Sequence, residues 1–181
     1  MVEPWLRGTM REVEPARRAV LHALELAAED VEWWAAPLND EQMFARPAGL
    51  PPVAFQLRHM ARSLDRLLSY AESGFVDSSQ SPVSQLPVLS EAQMEALNSE
   101  MSEEGSAAEV MAEFRAGLTR AMERVLAVAS EQFAEVRGVG RKRLPTTVVG
   151  LLIHCAEHTQ RHVGQMITTV KVVTKQAADS V

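Results

Sequence analysis

The sequence of 181 residues predicts an all-α fold, a four-helix bundle. Three observations carry that prediction. Ala, Leu, Glu, Arg and Met dominate the chain, and all are good helix formers. Four long segments repeat apolar residues at spacings of three and four. Aromatic residues make up only 5%, and no alternating segments bounded by hairpin turns stand out. The length fits one domain spanning 1–181, with flexible ends expected over 1–10 and 174–181.

The first helix is predicted over 12–36, where Val13, Ala16, Val20, Leu24, Ala27, Val31 and Trp34 form one stripe and Pro37 stops the run. Asn39 then caps a single turn, "DEQMF". Pro47, Gly49, Pro51 and Pro52 keep the rest of that connection irregular. A second helix begins near Pro52 and ends at Gly74, with Val53, Leu57, Met60, Ala61, Leu64, Leu67 and Leu68 facing inward.

Residues 75–89 read as a Ser/Pro-rich loop. "SEAQMEALNSEM" reads as a short extra helix, with Ser90 and Gln93 in a capping-box pattern. A third long helix is predicted over 107–136, with Val110, Met111, Phe114, Leu118, Val125, Leu126, Ala129 and Phe133 inward. "RGVGRKRLP" follows as a solvated basic loop. The last helix opens at "PTT", with Thr146 or Thr147 as its cap.

The formal charge of −6 argues against nucleic acid as a partner, since neutralising phosphates requires clustered Lys and Arg. No run approaches about 20 apolar residues, so no membrane span is expected. The first fifteen residues lack a signal-peptide pattern, and Cys155 is the sole cysteine; both point to a reducing cytoplasm.

The stretch "HCAEHTQRHVGQ" carries His154, His158 and His162. At about 100° per residue, each step of four turns about 40° around the helix, so His162 borders the apolar face and His154 points furthest away. Two imidazoles at i and i+4 can reach one ion. The wheel therefore selects His158 and His162, and leaves His154 as a rim residue, a supporting partner or an exposed side chain. Outside this helix the chain has His22 and His59. His59 lies about 140° from the centre of its own apolar stripe, which by itself favours solvent. A site using it has to sit on a flank or in an open cleft of the bundle.

"PPVAFQLRHMARSLDRLLSY" followed by "GLLIHCAEHTQRHVGQM" resembles the DinB-like (DinB/YfiT-type) superfamily, four-helix-bundle proteins many of which are assigned as metalloenzymes. The resemblance runs from "EPWLRGT" to "MITTVKVV". It implies metal ligation by His59, His158 and His162, with Gly164 and Gln165 matching the trailing motif. It also implies a small-molecule substrate, with a low-molecular-weight thiol as co-substrate in S-transferase or isomerase relatives. Three neutral imidazoles leave coordination positions open, which is the form of a catalytic site. Zn or Ni lead as the divalent transition metal, and Fe or Cu also suit nitrogen ligands. Affinity is expected to fall below about pH 6, as histidines protonate near 6.5.

Ser63, Arg161 and Gln165 share the histidine side, either orienting a ligand or binding an anionic group, or else standing as ordinary exposed polar residues. Glu157 points about 100° away from His158, so no general acid/base is assigned. Cys155 reads as buried and inert, His22 as structural or surface, and Trp33 and Trp34 as core or interface packing residues. The alternatives to a thiol-dependent transferase or hydrolase-like enzyme are a non-catalytic metal- or ligand-binding stress-response protein and a helical dimerisation module. A homodimer is expected through helix faces.

Overall fold

A computed structural model of the chain describes residues 2–73, 104–140 and 143–179, with side chains described as far as Lys175. In order the elements are α1 (Pro15–Trp34), α2 (Asp40–Phe44), α3 (Val53–Glu72), α4 (Ala107–Ala127), β1 (Val136–Val139), β2 (Leu144–Thr147) and α5 (Val148–Asp179). Gly74, the Ser/Pro-rich loop and the short helix expected around Ser90 lie outside the described residues.

Local chemistry accounts for where the helices begin. Glu14 caps α1: its carboxylate accepts from the amides of Ala16 and Arg17, and Pro15 takes the first helical position. Asn39 and Gln42 form the capping box of α2, as Ser106 and Glu109 do for α4. The carboxylate of Asp40 also accepts from the amide of Ala107 at 2.7 Å, tying α2 to the start of α4. Thr147 accepts from the amide of Gly150 at 3.1 Å at the start of α5.

The four long helices form the bundle. α5 packs against α1 and α3, and α4 packs against the same two, so α1 and α3 face each other across a diagonal. Cross-contacts fix the directions. Gln160 donates to the carbonyl of Ala23 and Lys171 lies over the ring of Trp34, so α1 and α5 run parallel. Arg58 pairs with Glu113 and Arg124 with Glu72, so α3 and α4 are parallel too. Parallel neighbours cannot be joined by a tight turn; at 1.5 Å per residue their connection must span about 30 Å. α3 and α4 approach so closely that a Cβ on Gly117 would stand 2.8 Å from the Cβ of Ala61.

The core includes Leu21, Leu24, Met43, Leu57, Met60, Leu64, Leu68, Phe114, Leu152 and Met166, all fully buried. In α3 the predicted stripe is buried except for the half-buried Ala61, which meets Gly117.

Two expectations require correction. The third long helix does not reach residue 136; it stops at Ala127. Val128 turns to extended backbone with its side chain buried, and its carbonyl accepts from the guanidinium of Arg17. Leu126 and Ala129 are consequently exposed. No Gly or Pro marks this end; a tertiary contact sets it. The basic segment is also more than a solvated loop. It contributes to an antiparallel hairpin in which Val136 pairs with Thr147 and Val139 with Leu144. Arg137 is only 2% exposed. Its guanidinium donates to the carbonyls of Ala71 and Val136 and to the carboxylate of Glu135, which satisfies the buried charge.

Candidate metal centre

Because α3 and α5 run antiparallel in contact, the middle of one helix meets the middle of the other. Thr169 donates toward the carbonyl of Pro51 at one end of the seam. Further along, His59 of α3 faces His158 and His162 of α5. The ring centroids lie 5.1 Å apart for His59–His158, and 4.5 Å apart for both His59–His162 and His158–His162. One nitrogen from each ring lies within 4.8 Å of the other two, and all three residues are half-buried. The cluster occupies the flank between two helices. Proximity to α5 covers His59 on the side that its own helix leaves open.

The neighbours orient the rings. Gln56, one turn before His59, is 1% exposed, and its Oε1 lies 2.6 Å from His162 Nδ1. An amide oxygen only accepts, so Nδ1 carries the proton and Nε2 of His162 keeps its lone pair. Ser63 is buried, with its Oγ 3.4 Å from His59 Nε2. Arg66 donates to that same Oγ at 3.0 Å, and the second lone pair of the hydroxyl oxygen can accept from His59 Nε2–H, the tautomer in which Nδ1 of His59 keeps its lone pair. Phe55 stacks on His59 at 5.4 Å.

Burial pushes the pKa of His158 down to about 4, helped by the neighbouring His162, His59 and His154 and by Arg161. His158 is therefore neutral well below the pH at which an ordinary histidine protonates, the form that ligates a metal. For this residue the protonation expected near pH 6 moves to lower pH.

The other residues singled out in the sequence separate clearly. The His154 ring lies 5.7 Å from that of His158, its side chain is 45% exposed, and its Nδ1 is 3.7 Å from the carboxylate of Glu157. It stands at the rim, outside the trio. Arg161 and Gln165 are exposed. Cys155 is fully buried, and burial pushes its thiol up to about 12. His22 is buried in α1, outside the cluster, and Trp33 is 69% exposed, which removes it from core packing. Sequence reasoning missed Gln56. Its one signal was a glutamine set inside an apolar run, next to the core stripe and one turn from His59.

The donor set fits a metal ion. Tetrahedral ligation at about 2.0–2.1 Å places nitrogens about 3.3 Å apart, a distance that ring rotation can reach from the arrangement present. Among the described residues no carboxylate joins the three imidazoles. Three ligands leave room for an exogenous one.

Fold and site together define a four-helix bundle with a histidine trio, able to hold a metal ion, on one flank. Residues 23–166 match the model of the DinB superfamily, and the chain belongs to that family. No curated protein matches it.

Proposed function

We propose that the protein is a metal-dependent enzyme in which His59, His158 and His162 hold one divalent transition ion, Zn or Ni before Fe or Cu. The observation that carries this reading is the convergence of three imidazole nitrogens within 4.8 Å from two different helices. Random surface histidines do not bring in a buried glutamine to fix a tautomer, as Gln56 does for His162.

The ion, when bound, supplies Lewis acidity that favours the deprotonated form of a coordinated water or thiol. The chain's own residues do the rest. Gln56 and Ser63 hold His162 and His59 in orientation. Burial keeps His158 unprotonated. The flank position gives a small substrate access without passing through the core. Arg161, exposed beside His158, supplies positive charge that would attract an anionic thiolate or substrate carboxylate. The reaction class that suits such a site is S-transfer from a low-molecular-weight thiol to an electrophile, or hydrolysis.

The test is turnover by metal-loaded, tag-free protein across a panel of small thiols with electrophiles and of activated esters. Activity that disappears with chelator and in His158→Ala supports the reading. Metal bound with no turnover on any pair would move the protein to the non-catalytic metal-binding class.

A further inference from the structure

A cavity of about 310 Å³ lies away from the histidine trio, between the N-terminal segment and α1. Val2, Glu3, Leu26, Glu29, Asp30 and Trp33 line it. We propose that it binds a small arylalkyl ammonium ion, with Asp30 anchoring the charge and the Trp33 indole meeting the cation and its aryl group.

Three carboxylates line the cavity, and two of them already have partners. Glu29 accepts from both terminal nitrogens of Arg7, at 2.5 and 2.7 Å. Glu3 accepts from the Trp5 indole at 2.5 Å. Among the described residues Asp30 meets neither a cation nor a hydrogen-bond donor. The positive charges that reach this face, Arg7 and the amino terminus, act on Glu29. What acts on Asp30 is its own burial first, then the like charges of Glu29 and Glu3, and all three push its pKa up. A half-buried carboxylate with only like-charged neighbours costs stability. A cation in the cavity removes that cost.

The independent observation is the apolar wall. Trp33 is 69% exposed and Val2 60%, so core packing does not account for either, and Leu26 joins them in the lining. An indole face attracts a cation held against it, and more strongly where water is excluded. The aliphatic side chains leave a surface for an aryl group. A bare metal ion would make no use of that wall. Among the described residues only the three imidazoles converge closely enough to hold one. A carboxylate oxygen accepts N–H donors, so a primary ammonium with three of them suits Asp30 better than a quaternary one. The volume matches a single small molecule, and the surrounding carboxylates would repel an anionic bilayer.

The test is calorimetric titration of the full chain with phenethylamine, protonated at neutral pH. Saturable one-site binding is expected, weakened at least about tenfold in Asp30→Asn and in Trp33→Leu, and unchanged by chelator and in His158→Ala. The uncharged isostere 2-phenylethanol should bind at least about tenfold more weakly. Asp30→Asn removes the like-charge repulsion, so the free variant should melt at or above the wild-type temperature, while phenethylamine raises the melting temperature of wild type alone. Absence of saturable binding, equal affinity in Asp30→Asn, equal affinity for 2-phenylethanol, loss of binding in His158→Ala, or capture on phosphatidylethanolamine vesicles without binding of phenethylamine would each overturn the assignment.

Discussion

Gln56 Oε1 accepts from His162 Nδ1 at 2.6 Å, and the glutamine making that bond is 1% exposed. Burying a primary amide beside a histidine is costly unless the pair is functional or fully satisfied. The bond sets the tautomer that leaves the lone pair on Nε2. Gln56→Leu, similar in size but unable to accept, is expected to lower zinc affinity about 10–100-fold. Gln56→Glu keeps an acceptor and should retain most of it. Competition with a chromogenic chelator measures both; equal affinities for wild type and Gln56→Leu would show that the contact orients nothing.

The protonation of His158 predicts how the metal-free fold responds to acid. In an unfolded chain a histidine titrates near 6.5; in the fold burial holds His158 down to about 4. As pH falls, the unfolded state takes up this proton first. The contribution is therefore fully present above about pH 6.5 and is lost as pH falls through about 4. Urea unfolding of metal-free protein at pH 7 and pH 4 should show a smaller drop in His158→Ala than in wild type. An identical drop in the two proteins would contradict the assignment.

Gly117 meets Ala61 where α3 and α4 are closest, and an added Cβ would sit 2.8 Å from the Cβ of Ala61. Gly117→Ala raises intrinsic helix propensity by about 1 kcal/mol. The overlap should outweigh that gain and destabilise the fold by about 1–3 kcal/mol. Adding Ala61→Gly should recover part of the loss, since the two positions share one contact. Denaturant midpoints of the two single variants and the double variant test the coupling; strict additivity would argue against it.

Cys155 is fully buried, with its thiol pushed up to about 12 by that burial. The thiolate is the reactive form, so native protein at pH 8 should resist iodoacetamide and become labelled only on unfolding. Cys155→Ala should retain the bound metal. Rapid native alkylation, read by intact mass, would mean that the thiol is accessible.

The legible parts of this fold are those with long periodic signals. The stripes of α1 and α3 follow spacings of three and four, and the inward residues they select are largely those buried. On α5 the same arithmetic separates His158 and His162 from His154, and the rings are arranged accordingly. What escaped depends on contacts between elements. The end of α4 rests on Arg17 reaching the carbonyl of Val128, which no local pattern announces. The hairpin has strands of four residues, one containing Pro145, too short to show an alternation. His59 pointed away from its own stripe because it packs on a neighbouring helix, and the family motif, rather than periodicity, identified it. Gln56 looked like a polar interruption until its partner on α5 was in place.

The central claim is that three imidazoles from two helices hold one metal ion. Its most direct test is mass-spectrometric metal analysis of tag-free protein after refilling with zinc and desalting, for wild type, His158→Ala, His59→Ala and His154→Ala. The account predicts about one ion per chain in wild type and in His154→Ala, and a large loss in His158→Ala and His59→Ala. Sub-stoichiometric metal in wild type, or full occupancy in His158→Ala, would contradict it.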